Sequence, residues 1–391
     1  MKHLQILQYL NTTFDANFYL VGGFVRDMLS GIVSDDYDIA TDLKPDEILA
    51  IAEQKNLKVI PTGLQHGTVT LMHEDKALEI TTFRKDLENN GRHAKVEFTK
   101  SIKEDSFRRD FSINAIYLDA KGMIYDFHDG QNDLKKGRVR FIGKPEDRIK
   151  EDYLRVLRFF RFYADFDRGG ISLREPGLKE TLINLCSNVG QLSADRISQE
   201  IIKICKSKNY ATAFATMLTI EPLQDLLSIN YQTVNSKDID LINQQDEFIK
   251  LCFIYRNNLQ DLITNKHYNW SNNQKKLVKS FINFDFKDEI DEDNVVRVAA
   301  QYGQQIVEFI LYSRYLDGDI IKFDLLDMLA ILAEGIPYFE VTGNDLIDLG
   351  FKADKTLGQA LKLVKQYWLS NSFADKESCL DFARKIDKNS L

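Results

Sequence analysis

The stretch Leu20-Val21-Gly22-Gly23-Phe24-Val25-Arg26-Asp27, followed soon after by Ser34-Asp35-Asp36-Tyr37-Asp38-Ile39-Ala40-Thr41, decides how the start of this chain folds. A β-like run, Phe18 to Val21, stops at two glycines, and a helical pattern from Val25 to Leu29 follows. A glycine pair in that position lets bare backbone N–H groups and a helix N-terminus approach a phosphate closely. A tight turn with Gly23 in the left-handed region explains the same pair. On a predicted strand over Tyr37–Thr41 with Asp36 just ahead of it, Asp36 and Asp38 project from one face. Two carboxylates held that close repel unless a cation lies between them, and oxygen ligands of this kind suit Mg²⁺. The combination points to metal-assisted phosphoryl or nucleotidyl transfer. An Asp-rich turn capping the next helix accounts for Asp35 and Asp42 instead. Glu79, in Leu78-Glu-Ile-Thr-Thr-Phe-Arg84, is the candidate third acid, with an exposed cross-strand partner as its other reading.

Working outward, strand signals recur at Leu57–Ile60, Thr68–Met72, Leu78–Phe83, Ser112–Leu118 and Ile124–Phe127, with a helical pattern at Pro45–Gln54. This is a small mixed sheet with helices. After about Gly143 the strand signals stop, and helical patterns follow at Pro145–Ala164, Ser193–Lys206, Tyr210–Leu218 and Asp246–Asn257. The expected class is α+β, a sheet-containing N-terminal region followed by an all-α remainder. An acidic run from Asp285 to Asp293 reads as a solvated segment between helices.

The 391 residues, 44% hydrophobic and 28% charged, predict about two to four domains and exclude disorder and fibrous architecture. Polar residues break every apolar run in the first thirty residues, and no stretch of eighteen apolar residues follows, so neither a secretory signal nor a membrane span is expected. Cys186, Cys205, Cys252 and Cys379 lie far apart, without C-x-x-C spacing, and read as buried thiols in a reducing cytoplasm. The net charge is −8, yet Arg84 to Arg161 holds 19 Lys or Arg against 14 Asp or Glu, a local surplus of +5. Any nucleic-acid surface would therefore be local.

Asp152 and Arg155, in Glu151-Asp-Tyr-Leu-Arg-Val-Leu-Arg158, are three apart and so neighbours on one face of a predicted helix. Tyr153, Leu157, Phe160 and Ala164 form the opposite, core-facing stripe. A surface salt bridge is the simpler reading of the Asp/Arg pair. Arg158 and Arg161 continue the row, which winds around the helix. His66 and His93 are not assigned as general bases, because a terminal hydroxyl beside a metal can lose its proton without one.

These motifs together resemble the tRNA CCA-adding enzymes and poly(A) polymerases of the class II nucleotidyltransferase superfamily. The matching segments are GGxVRD (Gly22 to Asp27), DxDIAT (Asp36 to Thr41), TGLxHGTVT (Thr62 to Thr70), the ExTTFR strand (Glu79 to Arg84), RRDFSINA (Arg108 to Ala115) and EDxxRxxRxxR (Glu151 to Arg161). Val341-Thr-Gly-Asn-Asp-Leu-Ile-Asp-Leu-Gly350 resembles the tail of bacterial CCA-adding enzymes, whereas residues 210–338 carry no such motif.

The resemblance implies a nucleotidyltransferase palm over 1–140, a helical neck over 141–206 that recognises the base, a helical body over 207–310 and a tRNA-binding tail over 311–391. It implies that Asp36 and Asp38 bind Mg²⁺, with Glu79 as a further catalytic acid. Gly23, Arg26 and Arg109 would contact the nucleotide, with Arg158 and Arg161 as further nucleotide-side arginines; a surface ion pair with Asp27 or Asp110 is the alternative for Arg26 and Arg109. Asp152 and Arg155 would act as a protein template. Cytosine and adenine share an amine donor beside a ring-nitrogen acceptor, which a carboxylate and an arginine match, while uracil and guanine present the reverse.

The implied activity is template-independent, cytoplasmic transfer of CMP, CMP and AMP from CTP and ATP to the tRNA 3′ end, with release of pyrophosphate. A CC-adding or A-adding enzyme, a poly(A) polymerase and a non-catalytic RNA-binding relative are the alternatives. The partner is the tRNA acceptor arm, with no stable protein partner evident and a homodimer open. The loop Lys85 to Lys95 is a residue or two shorter than the family usually carries and lacks its proline, which bears on the final adenylate.

Overall fold

The computed structural model describes residues 2–74, 76–88, 95–229, 242–285, 287 and 289–388. They fall into two compact units, Met1–Ile254 with Thr264–Asn269, and Tyr255–Ile263 with Trp270–Leu391.

The first unit is built on β1 (Phe18–Val21), β2 (Asp38–Thr41), β3 (Val59–Gly63), β4 (Thr68–His73), β5 (Lys76–Thr82), β8 (Ile116–Leu118) and β9 (Ile124–Asp126), with β6 (Arg84–Glu88) and β7 (Lys95–Phe98) as a separate pair. The seven-stranded sheet runs β3-β4-β5-β2-β1-β8-β9. Strand β1 lies antiparallel to β2 and β8, while β2 and β5 are parallel, with Asp38 opposite Glu79. The sheet is thus mixed, as the sequence predicts. Phe18, Leu20 and Ile39 on its central strands pack with Leu7 and Leu10 of α1 (Lys2–Phe14) and Val25 of α2 (Gly23–Leu29) in one buried cluster. Helix α3 (Pro45–Gln54) begins at a proline, and Ile48 and Ala52 join the same core.

Two strand expectations change. Ser112–Asn114 forms a 3-10 turn, because its polar residues bond inward: the Ser112 hydroxyl donates to Asp133 at 2.6 Å and the Asn114 amide donates to Asp110 at 3.1 Å. The charged alternation in Arg84–Glu88 and Lys95–Phe98 conceals a β-pair that the sequence reading omitted. Residues 89–94 of the shortened loop, with His93, lie outside the described residues.

Helices α4 (Ile102–Phe107), α5 (Gly130–Lys136), α6 (Pro145–Glu151), α7 (Leu154–Phe166), α8 (Leu178–Leu185), α9 (Ala194–Cys205), α10 (Tyr210–Met217), α11 (Glu221–Leu227) and α12 (Glu247–Ile254) complete this unit. The single helix expected over Pro145–Ala164 is two. Asp152 takes an extended conformation, φ −154° and ψ 107°, and its Oδ1 accepts the Leu154 N–H at 3.1 Å. An aspartate that bonds the backbone just ahead starts a new helix rather than continuing the old one. Beyond the break, Leu157, Phe160 and Ala164 are buried, as the stripe predicts.

The second unit carries α13 (Leu259–Thr264, its last residue in the first unit), α14 (Asn272–Ile282), α15 (Val295–Tyr302), α16 (Gln304–Asp317), α17 (Lys322–Ala333), α18 (Gly343–Asp348), α19 (Lys355–Ser370) and α20 (Lys376–Arg384). The Val341–Gly350 motif is one helix with its own start and stop. Thr342 Oγ1 accepts the Asp345 N–H, Asp345 Oδ2 accepts the Thr342 N–H at 2.7 Å, and Gly350 follows at φ +86°. Val341 and Leu346 then bury against Val364 and Trp368. The described residues of the acidic run lie between α14 and α15. Among the described residues no helix is long and apolar enough to cross a membrane, and all four cysteines are buried free thiols.

Candidate active site

The turn between β1 and α2 forms one corner of the site. Gly22, not Gly23, is the left-handed residue, at φ +73°. A side chain there would also meet Asp38 Oδ2 at 3.2 Å and Arg109 Nη1 at 3.6 Å, so this backbone must stay bare to let those groups approach. Asp36 lies just ahead of β2, and Asp38 is its first residue. Asp38 remains open to the cleft, yet its carboxyl is pushed above the usual range by crowding of the surrounding protein and then by the charge of Asp36. Glu79 adds to the repulsion, while Arg109 and Arg26 oppose it. Asp36 and, from the neighbouring strand β5, Glu79 act on Asp38 by charge, although among the described residues no three acidic, histidine or cysteine side chains gather closely enough to hold an ion by themselves. Two carboxylates are the kind of oxygen donor that could hold a hard divalent cation together with the phosphates of a nucleotide, so Asp36 and Asp38 are the candidates for it.

Arg109 is held from behind. Its Nε donates to Tyr117 Oη at 2.9 Å and its Nη2 to Asp105 Oδ2 at 3.3 Å, leaving Nη1 with no hydrogen-bond partner among the described residues. The expected alternative partner, Asp110, is not its partner. Asp105 is fully buried, and burial alone would raise its carboxyl; Arg108, Arg109 and the Tyr117 hydroxyl overcome that and hold it at about 2. The same carboxylate accepts the Arg84 N–H at 3.1 Å, and the Arg84 side chain reaches the His66 carbonyl.

Arg26 pairs with Asp27 at 2.7 Å, as the simpler reading supposed, and its Nη1 donates to Asn114 Oδ1 at 2.8 Å. Its guanidinium lies over the rings of Phe162, at 5.0 Å, and Phe166, at 4.8 Å, which fixes its plane. Arg158 reaches Asp110 at 2.6 Å. Burial would raise the Asp110 carboxyl too, but Arg158 and Asn114 hold it at about 2. Arg161 pairs with Glu200 of α9 at 2.9 Å, yet it still lines the same cavity as Arg155 and Arg158 rather than facing elsewhere.

The Asp152/Arg155 pair does not bond through its side chains. Asp152 Oδ2 accepts from Arg196 Nη2 at 2.8 Å, while Arg155 Nη1 donates to Glu151 at 2.5 Å and to the Arg148 carbonyl at 2.8 Å. Both still line one cavity of about 820 Å³, together with Gly22, Gly23, Asp36 and Asp38. Eight arginines and one lysine face five aspartates there, a surplus suited to a triphosphate. Glu79 is placed beside it by its register with Asp38.

The sequence reading missed Asn114, Phe162, Asp165, Arg196 and Lys203 on this wall, and the support from Asp105 and Tyr117. Asn114 was legible as the amide of the RRDFSINA segment. Arg196 and Lys203 lie seven apart on α9, whose buried face is Ile197, Ile201 and Ile204, and nothing local in the sequence marks them.

Residues 18–140 match the Poly A polymerase head domain. The chain is 31% identical over 405 residues to the CCA-adding enzyme of Ligilactobacillus salivarius, covering 98% of this chain and 96% of that protein. It is 30% identical over 382 residues to the mitochondrial CCA tRNA nucleotidyltransferase 1 of Homo sapiens, covering 94% of this chain and 86% of that one. The fold matches the crystal structure of the Bacillus stearothermophilus CCA-adding enzyme in complex with CTP with a TM-score of 0.70 at 22% identity, over 99% of this chain and 98% of that one. A cleft of paired carboxylates facing arginines, on a chain similar to these relatives along nearly its whole length, leads to one conclusion: the chain belongs to the CCA-adding enzymes, a family of tRNA nucleotidyltransferases.

Proposed function

We propose that this cleft is where the enzyme joins CMP, CMP and AMP in turn to the tRNA 3′ end. The observation that carries the reading is Asp38, whose carboxyl the charges of Asp36 and Glu79 oppose, beside the bare Gly22 turn that Arg109 Nη1 also approaches. In the reaction the terminal 3′-oxygen forms a bond to the α-phosphorus of the bound nucleotide, the bond to the β-phosphate oxygen breaks, and pyrophosphate leaves. Asp36 and Asp38 would hold Mg²⁺, which when bound neutralises phosphate charge and eases loss of the hydroxyl proton. Glu79 would reinforce the negative edge that attracts the ion. Gly23 and Arg26 would donate to the phosphates from the helix start, and Arg109 from the opposite side. Arg158 and Arg161 would add positive charge along the neck wall.

Asp152 would accept from the exocyclic amine of C or A, and Arg155, whose Nε and Nη2 have no partner among the described residues, would donate to the ring nitrogen. Residues 1–140 would serve as palm and 141–206 as neck, with 207–310 and 311–391 gripping the acceptor arm by shape and phosphate contacts. The buried, unpaired thiols support a reducing, cytoplasmic setting. The test is Asp36→Ala and Asp38→Ala: each abolishes nucleotide incorporation while the far-ultraviolet circular dichroism stays native-like and the chain is no less stable than wild type. Full incorporation by either variant would overturn the assignment.

A further inference from the structure

Asp152 stands in the two-residue gap between α6 and α7, and neither of its oxygens is idle. Oδ1 accepts the Leu154 N–H at 3.1 Å, and Oδ2 accepts Arg196 Nη2 at 2.8 Å. These bonds fix the carboxylate from two directions, one from the start of α7 and one from α9. Each oxygen keeps one further lone pair for a ligand. Arg196 itself is half-buried, lines the same cavity, and makes no other side-chain bond among the described residues. An aspartate in a helix gap would otherwise turn about its side-chain torsions and present either oxygen in several directions. A carboxylate free to turn can find a donor on the wrong base or on water, whereas a fixed one accepts along a single direction.

We infer that Arg196 is a positioning residue for base selection: its guanidinium fixes the plane of Asp152, so that the carboxylate meets an exocyclic amine and is misaligned with an oxo group and its neighbouring N–H. This rests on the reading of Asp152 as the base-contacting acid. Arg196 touches no reacting atom, and its effect is on which nucleotide is accepted rather than on the transfer step.

The experiment measures kcat/KM for CTP and for UTP, on tRNA ending at the discriminator base, with the wild-type chain, Arg196→Ala, Arg196→Lys, Asp152→Ala and the double Ala variant. The CTP/UTP ratio is expected to fall about tenfold in Arg196→Ala, the size of one well-made base contact. It recovers in part in Arg196→Lys, and the double variant discriminates no worse than Asp152→Ala alone, because the two residues act as one unit. Equal loss for both nucleotides in Arg196→Ala, or additive loss in the double variant, would reduce Arg196 to a structural contact and overturn the inference. A wild-type chain that accepts UTP as readily as CTP would instead overturn the underlying role of Asp152.

Discussion

Asp110 Oδ2 accepts the guanidinium of Arg158 at 2.6 Å across 48 residues of sequence. The other oxygen, Oδ1, accepts the Phe111 N–H at 2.9 Å and the Asn114 amide at 3.1 Å, and Asn114 in turn receives Arg26 Nη1 at 2.8 Å. One chain of bonds therefore runs from α2 through Asn114 and Asp110 to α7, joining the wall of the cleft that carries Arg26 to the one that carries Arg155 and Arg158. Both walls depend on a residue that itself need touch no substrate.

Replacing Asp110 with Ala strands Arg158, Asn114 and a backbone N–H at once. We predict a loss of about 2–3 kcal/mol, less than for a fully buried ion pair because Arg158 keeps some exposure. The urea midpoint checks it, and an unchanged midpoint would show that the network is dispensable.

Acid should weaken the fold through the same groups. Asp105 and Asp110 titrate near about 2 in the folded chain, against 3.8 ordinarily. Their stabilisation is complete above 3.8 and is lost as the pH falls towards about 2, because the unfolded chain binds protons first. Unfolding free energy measured across that window is expected to fall less steeply in Asp105→Asn, from a lower starting value.

The two glycines should separate cleanly. Gly22→Ala puts a side chain at φ +73° and 3.2 Å from Asp38 Oδ2, so it is expected to lose about 1–2 kcal/mol and most activity. At Gly23 an added methyl meets only Arg26 Nη2, at 3.8 Å. That variant should fold normally and show a raised KM for both CTP and ATP, because the methyl narrows the phosphate approach. Equal unfolding midpoints for the two variants would contradict this distinction.

Charge repulsion at the strand edge gives a prediction of opposite sign. Asp38→Asn removes the carboxylate that Asp36 and Glu79 oppose, so without added metal the variant should melt higher than wild type while losing activity. Mg²⁺ should raise the melting temperature of wild type and leave the variant unmoved. A drop in stability in Asp38→Asn would contradict the repulsion.

Much of this was legible locally. The Phe18–Val21 run stopping at glycine, and the Asp36/Asp38 spacing, act over a few residues, and β1, α2 and β2 form where they predict. Helix α7 was legible from its apolar stripe, but its start was not: a carboxylate at Asp152 suits a helix surface as well as a helix start, and only the Leu154 N–H decides. Asp105 carries no mark in the sequence and is fully buried, because Arg108, Arg109 and Tyr117 converge on it. Arg196 could not be found at all, since its partner lies 44 residues away and no spacing rule joins them.

The most direct measurement is incorporation of labelled CTP and ATP onto tRNA ending at the discriminator base, with products resolved to single nucleotides. The account predicts two C additions, one A addition and then a stop. A ladder of A residues, a halt after CC, or no extension at all would contradict it.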